Sequence, residues 1–160
     1  MLSVVIPLLD EEGNLELLHQ KLTATLISAD LSYEIIFVND GSTDRSAAIL
    51  QELFERDSAV TVINFRQNFG KTAALTAGFR QSQGEVIVTL DADLQDDPAA
   101  IPDMLAKLNE GYDLVHGWRK NRQDTFVNRR LPSIIANWII SKVTGFPRWV
   151  PALMETFRST

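Results

Sequence analysis

Three oxygen-bearing side chains alternate along the stretch LDADLQDDP, residues 90–98. They belong to Asp91, Asp93 and Gln95, and on an extended chain residues i, i+2 and i+4 point to the same side. Carboxylate and amide oxygens are the ligands that hard cations such as Mg²⁺ and Mn²⁺ prefer. Such an ion usually keeps bound water and bridges the phosphates of a ligand. The spacing therefore predicts a Mg²⁺ or Mn²⁺ site that receives a diphosphate.

The next two aspartates have a simpler interpretation. Asp96 and Asp97 directly precede Pro98, a residue that is favoured in the first turn of a helix. A carboxylate at this place accepts backbone N–H groups that have no partner inside the helix. We predict that one of the two aspartates caps a helix and takes no part in the chemistry.

The elements that must position these residues alternate regularly along the chain. Apolar, mostly β-branched stretches predict strands, and a period near 3.6 residues predicts helices between them. The expected strands are 2–7, 33–39, 59–65, 85–90 and 112–117, and the expected helices are 13–28, 44–57, 71–82 and 99–110. Because the strands are apolar on both faces, we expect a mostly parallel α/β sheet with helices on both sides.

Polar sequences follow the predicted strands at the edge where such sheets bind ligands. They are PLLDEE, NDGSTD, DADLQDD and GWR. Gly41 is expected in a turn, and Ser42 or Thr43 as the cap of the next helix. Lys71 begins another helix and has two open interpretations, a solvated side chain or a contact with a diphosphate. Carboxylates gathered at one edge also call for a compensating positive charge.

Charge is divided unevenly along the chain. Residues 1–117 hold 7 Lys+Arg and 19 Asp+Glu, a net charge of −12, whereas residues 118–160 hold 8 Lys+Arg and 2 Asp+Glu, a net charge of +6. The absence of cysteine excludes disulfides and cysteine metal sites, and we expect neither a signal peptide nor a membrane span. The apolar stretch LPSIIANWIISKVTG predicts a helix that packs on the domain or lies on a membrane surface.

Five motifs together resemble the family 2 glycosyltransferases of GT-A fold. They are VVIPLLDEEGNL, YEIIFVNDGSTD, NFGKTAALTAGF, GEVIVTLDADLQDDP and GWR, in that order. The chain is most similar to the branch that transfers a sugar from a UDP- or GDP-sugar to a polyprenyl phosphate. The resemblance spans residues 3 to about 119, which predicts a nucleotide-sugar-binding core at 1–117 and a basic, acceptor-side segment at 118–160.

The resemblance also implies a role for each matching residue. The donor nucleotide and its ribose would be lined by Pro7, Leu9, Glu11, Val38 and Asp40. The ribose and diphosphate would face Asp91 and Ala92. The metal would be held by Asp93 and Gln95, with Asp93 counted as catalytic. The acceptor phosphate would be bound by Arg119, Arg129 and Arg130, of which Arg119 and Arg129 are also expected to be catalytic.

The same resemblance implies an inverting, metal-dependent enzyme at the cytoplasmic, inner face of a membrane. Its partners would be a nucleotide-sugar, a polyprenyl phosphate and the membrane surface, with no nucleic acid. The family often has an aromatic residue in place of Leu9 and aspartate in place of Asn39. The chain is also expected to lack a C-terminal part of the family, through truncation or a frameshift. Two alternatives are a nucleotide-sugar-binding remnant without turnover and a phosphoacceptor regulator.

Overall fold

Four parallel strands form one sheet in the computed structural model, which describes residues 1–117. The strands are β1 (Leu2–Leu8), β2 (Tyr33–Asn39), β3 (Val60–Asn64) and β4 (Val86–Thr89), in the order β3-β2-β1-β4. The helices are α1 (Leu15–Ser28), α2 (Ser46–Arg56), α3 (Lys71–Gln81) and α4 (Ile101–Leu108), the last preceded by a 3₁₀ turn at Pro98–Ala100. The predicted α/β class with a parallel sheet is confirmed.

β1 lies in the middle of the sheet, and all seven of its residues are buried. It pairs in parallel with β2 along its whole length and with β4 from Leu2 to Val5. A strand bonded on both edges and covered on both faces has to be apolar throughout. The sequence LSVVIPL meets this requirement, with Ser3 as its one polar side chain.

Helices cover both faces of this sheet. α1 buries Leu15, Leu18, Leu22 and Leu26, which repeat every three or four residues and therefore share one face of the helix. They pack in the larger core together with side chains from β1, β2, α2 and α4. Burying one leucine side chain contributes about 1.5–3 kcal/mol, so this row is a major part of the stability.

The opposite face of the sheet is covered by α3. The smaller core there contains Val5, Ile36, Val38 and Ala74. Gly78 lies directly on the sheet, because a Cβ atom at this position would be 2.3 Å from Cγ1 of Val5. The close packing of α3 on the sheet therefore depends on a glycine at this position.

The fifth predicted strand is wrong. Residues 112–117 form no strand, and Leu114 is 84% exposed. A strand exists only when a neighbouring strand satisfies its main-chain groups, and within residues 1–117 none pairs with this stretch. An apolar, alternating sequence is therefore insufficient here.

Within the described residues, no helix is both long and apolar enough to cross a membrane. Residues 1–117 belong to one compact unit. The helix predicted within LPSIIANWIISKVTG lies outside the described residues, as do the roles expected for the basic segment.

Replacing Gly78 with alanine should destabilise the protein by about 1–3 kcal/mol. The added methyl group would overlap Val5, which is fully buried, and an overpacked core costs roughly that amount. Urea denaturation followed by circular dichroism measures the change. Gly13→Ala is the matched control, because no atom lies within 4 Å of a Cβ placed there. A stability of Gly78→Ala equal to that of the control would contradict the packing argument.

Candidate functional site at the carboxyl edge of the sheet

The carboxyl ends of β1, β2 and β4 are neighbours, because β1 lies between the other two strands. The loops that follow them, residues 9–14, 40–45 and 90–97, therefore leave the sheet at one edge. Ligands of open parallel sheets bind at this edge. The structure thus brings together three of the strand-end motifs singled out in the sequence, PLLDEE, NDGSTD and DADLQDD. The fourth, GWR, extends beyond the described residues.

Asp10 connects the loop after β1 with the loop after β2. Its Oδ1 accepts hydrogen bonds from the backbone N–H groups of Thr43 at 2.7 Å and Asp44 at 3.3 Å. Its own N–H donates to Oγ of Ser42 at 2.9 Å. Asp10 has a positive φ of 54°, a conformation that aspartate tolerates better than most residues. Main-chain amides therefore compensate this carboxylate.

A second set of hydrogen bonds runs between the same two loops. The N–H of Glu12 donates to Oδ2 of Asp44 at 3.0 Å, and the N–H of Arg45 donates to Oε2 of Glu12 at 2.8 Å. Oδ1 of Asp44 accepts the N–H of Ser46, the first residue of α2, at 2.9 Å. Burial acts to raise the pKa of Asp44, but the bonds from Ser46 and Glu12 hold that pKa below its usual value.

The prediction that Ser42 or Thr43 caps α2 is therefore wrong. The helix begins at Ser46, later than expected, so Asp44 is the side chain that accepts the N–H of its first residue. Ser42 instead accepts a hydrogen bond from Asp10 in the neighbouring loop. The prediction for Gly41 holds, since this residue has a φ of 79° in the turn.

The residues expected to line the donor nucleotide differ in accessibility. Pro7 and Val38 are buried within the sheet, with Val38 in the core under α3. A role of Val38 in base binding would therefore fall to its main chain. Leu9 is 41% exposed at the rim, and Glu11 is half-buried. Oε2 of Glu11 accepts a hydrogen bond from Asn14 at 2.6 Å, which orients this carboxylate.

Asn39 ends β2 and faces its register partner Asn64 at the end of β3. Its Nδ2 donates to Oδ1 of Asn64 at 2.9 Å, and its Oδ1 accepts the N–H of Ser42 at 2.9 Å. An aspartate would accept from Ser42 equally well but has no N–H to donate to Asn64. The buried amide therefore explains why asparagine suits this position in this chain.

Asp40 holds the loop that leads into α3. It is only 5% exposed, and its two oxygens accept the N–H groups of Phe69 at 2.8 Å and Gly70 at 2.9 Å. Each carboxylate oxygen has a second lone pair, so these bonds leave capacity for the base N–H that the resemblance implies. Sequence reasoning missed this scaffolding role, for which the motif NFGK after β3 was the available signal.

The loop 65–70 approaches Gly41 closely. A Cβ atom on Gly41 would be 2.5 Å from the carbonyl carbon of Gln67, a main-chain atom that has little room to move. Glycine at the turn after β2 thus allows the loop before α3 to pack against it. This contact brings the start of α3 to the same edge as the other strand-end residues.

The stretch from Asp91 to Gln95 is a turn, so the predicted extended arrangement is wrong. Leu94 has a positive φ of 60°, and Oδ1 of Asp93 accepts the N–H of Gln95 at 3.0 Å. This short-range bond favours a turn over an extended chain. Ala92 is buried within the turn.

The same stretch confirms the predicted helix cap. Oδ1 of Asp97 accepts the N–H of Ala99 at the start of the 3₁₀ turn.

No group of three or more histidines, cysteines or acids suited to hold a metal occurs among residues 1–117. The metal-binding roles of Asp93 and Gln95 stay predictions.

Two side chains meet across the site between different elements. Nζ of Lys71, at the start of α3, lies 2.5 Å from Oδ1 of Asp91, which follows β4. Neither of the two sequence interpretations of Lys71 foresaw this ion pair with Asp91. The acceptor-site candidates Arg119, Arg129 and Arg130 lie outside the described residues.

Another cluster of ionisable side chains lies at the opposite, amino end of the sheet. Nε2 of His19 is 2.7 Å from Oδ2 of Asp57. Burial, and after it the negative charge of Asp57, raise the pKa of Tyr33 at the start of β2. This cluster is separate from the strand-end site and joins α1 to the end of α2.

Comparison with known proteins identifies relatives. The family model for glycosyl transferase family 2 matches residues 3–157. The undecaprenyl-phosphate 4-deoxy-4-formamido-L-arabinose transferase of Pseudomonas aeruginosa (strain LESB58) is 43% identical over 146 residues, which are 91% of this chain and 43% of that protein. The dodecaprenyl-phosphate galacturonate synthase of Rhizobium johnstonii is 39% identical over 146 residues, with 90% and 43% covered. The chain thus spans about 43% of the length of these curated relatives.

Solved structures support the fold. Glucosyl-3-phosphoglycerate synthase of Mycobacterium tuberculosis has a TM-score of 0.60 at 24% identity, over 91% of this chain and 51% of that one. TarS residues 1–349 of S. aureus has a TM-score of 0.54 at 22% identity, over 68% and 32%. The predicted GT-A type of α/β fold is confirmed by these neighbours.

Replacing Asn39 with aspartate should destabilise the protein by about 1–3 kcal/mol, the usual cost of a buried polar group that loses its partner. The substitution removes the N–H that bonds Oδ1 of Asn64 and places a carboxylate at a position that is only 3% exposed. Thermal unfolding measures the loss. Asn68→Asp is the matched control, because Asn68 is exposed and its Oδ1 is the acceptor for Gly70. Equal effects of the two substitutions would contradict the role assigned to the Asn39 amide.

Replacing Asp44 with asparagine should lower stability at neutral pH and weaken its dependence on acid. The folded-state pKa of Asp44 lies below its ordinary value of 3.8, so its ionised form adds stability above pH 3.8. That contribution is lost as the pH falls from 3.8 through the lower, folded-state value. The urea midpoints of the wild-type protein and the variant should therefore converge as the pH falls below 3.8. A constant gap across this range would contradict the assignment.

Proposed function

The chain belongs to glycosyl transferase family 2, and we propose that it transfers a sugar from a nucleotide-sugar to a polyprenyl phosphate. The observation that carries this proposal is the identity of 43% and 39% to two relatives whose names join different sugars to a polyprenyl phosphate. What these names share is the polyprenyl phosphate. The acceptor class is therefore better supported than any particular sugar.

The strand-end edge supports the donor half of the proposal. The nucleotide would lie between the rim residues Leu9 and Glu11 and the buried carboxylate of Asp40. The ribose and diphosphate would follow toward Asp91 and Ala92, at the end of the neighbouring strand β4. This path runs along the carboxyl edge of the sheet, where nucleotides bind in parallel α/β folds.

The chemistry of Asp93 and Gln95 fits a Mg²⁺ or Mn²⁺ ion. A carboxylate and an amide oxygen are hard ligands, and Mg²⁺ is usually held by one or two protein groups together with water and phosphates. The bond from the Gln95 N–H to Oδ1 of Asp93 orients the carboxylate at the turn. When bound, such an ion would neutralise the diphosphate leaving group. Divalent ions are common among enzymes of this fold type.

The acceptor needs less help from the protein. A phosphate monoester is already anionic near neutral pH, so its oxygen can attack without a strong general base. Arg119, Arg129 and Arg130 would position it, because guanidinium groups bind phosphate through two parallel hydrogen bonds. The new bond joins a phosphate oxygen to the anomeric carbon while the bond to the diphosphate breaks. Attack from the opposite face inverts that carbon.

The location follows from the acceptor. A polyprenyl phosphate is a lipid, so transfer to it would take place at a membrane surface. We place the chain at the cytoplasmic face, where nucleotide-sugars are available. The positive charge of residues 118–160 agrees with an anionic surface as a partner.

Replacing Asp93 with asparagine should reduce transfer by about 10²–10³-fold, the usual cost of removing one electrostatic stabiliser of a transition state. The assay measures transfer of labelled sugar from UDP- and GDP-sugars to undecaprenyl phosphate in detergent, with Mn²⁺ or Mg²⁺. Asp103→Asn is the matched control, because Asp103 is an exposed acid on α4.

Binding and transfer are measured separately, so that two functions can be told apart. Calorimetry with the same donors detects a protein that binds a nucleotide-sugar without turnover. Absence of both binding and transfer for all donors would refute the proposed function. Unchanged transfer by Asp93→Asn would refute the role of this residue alone.

A further inference from the structure

The ion pair between Lys71 and Asp91 lies at the opening of the proposed donor site. The two side chains belong to elements that are 20 residues apart in sequence, and their charged atoms are 2.5 Å apart. The side chains are 61% and 35% exposed, so solvent and ligands reach them. Lys71 thus places an ammonium group beside the acidic side chains at this edge of the sheet.

The main chain beneath Lys71 is held firmly. The N–H of the preceding residue, Gly70, donates to Oδ2 of Asp40 and to Oδ1 of Asn68, both at 2.9 Å. Gly70 has a φ of 91°, which few other residues adopt readily. The start of α3 is therefore held in place by Asp40, directly after β2, whereas the four-carbon side chain of Lys71 can change its conformation.

An exposed lysine–carboxylate pair adds little stability, since water screens it and ordering two side chains costs entropy. Such a pair opens easily. A diphosphate carries more negative charge than one carboxylate and presents several acceptor oxygens, so it attracts an ammonium group more strongly. The ligand expected at this site would therefore compete with Asp91 for Lys71.

We propose that Lys71 is an exchangeable counterion of the donor site. In the ligand-free chain it neutralises Asp91, and when a nucleoside diphosphate binds, its ammonium group moves from Asp91 to a diphosphate oxygen. This inference rests on the proposed function, because it requires a nucleoside diphosphate at the strand-end edge.

The first test compares ligands that differ in the diphosphate. Lys71→Gln should bind UDP or GDP, with Mn²⁺ present, on the order of 10- to 100-fold more weakly, the range for a lost charge-assisted hydrogen bond. Binding of uridine and guanosine, followed by ligand-observed NMR, should not change. Lys71→Arg should recover most of the diphosphate affinity. Lys107→Gln is the matched control, because Lys107 is also an exposed lysine paired with an acid, Glu110.

The second test follows the movement of the amine itself. Brief acetylation of the wild-type chain, followed by peptide mass spectrometry, reports how accessible each lysine amine is. UDP or GDP should protect Lys71, whereas uridine or guanosine should not. Lys107 should be acetylated equally in every sample and serves as the internal control.

The outcomes separate this inference from the proposed function. If the wild-type chain binds neither diphosphate, both are overturned. If it binds one of them and Lys71→Gln binds it equally well, only the role of Lys71 is overturned. Equal losses for nucleosides and diphosphates would mean that the lysine supports the fold, and would also overturn the exchange. Unchanged acetylation of Lys71 with a bound diphosphate would do the same.

Discussion

The parallel pairing of β1 with β2 on one edge and β4 on the other is the constraint on which the site depends. All three strands run in the same direction, so their carboxyl ends must meet at one edge. β1 is buried along its whole length. Its contribution is to hold the loops 40–45 and 90–97 at fixed positions on either side of the loop 9–14. Any change that displaced β1 would separate residues that act together.

The acidic edge is compensated in two physically different ways. Asp10, Asp40 and Asp93 accept hydrogen bonds from backbone N–H groups, which the fold holds in place. Asp91 instead contacts the ammonium group of Lys71, a charge on a flexible stem. Backbone amides cannot leave without unfolding the loops, whereas an exposed lysine can exchange partners. The site thus combines carboxylates whose partners are fixed backbone amides with one carboxylate whose partner is an exchangeable lysine side chain.

The pair formed by Asn39 and Asn64 shows how a local departure from a family pattern is accommodated. Asparagine removes a negative charge from an edge that already contains several, and its amide group bonds across to the neighbouring strand. Leu9 is a different kind of departure, since its exposed side chain offers no aromatic ring at the proposed nucleotide site. The first change alters the framework of the site, and the second alters the surface that a base would meet.

The alternation of strands and helices was predictable from the sequence because it depends on local periodicity and on short-range signals. The row of leucines in α1 and the cap at Asp97 are decided within a few residues. The order of motifs likewise sufficed to indicate the family. These features need no knowledge of which segments meet in space.

Tertiary structure decided the features that depend on distant partners. Residues 112–117 have the composition of a strand but no pairing strand within the described part of the chain, so they are not one. Asp40 and Lys71 acquire their contacts from segments 20 to 30 residues away, which no local pattern reveals. The turn at Leu94 redirects side chains that would otherwise alternate along a strand. Sequence determined which residues arrive at the edge, and long-range hydrogen bonds and packing decided how each one is held there.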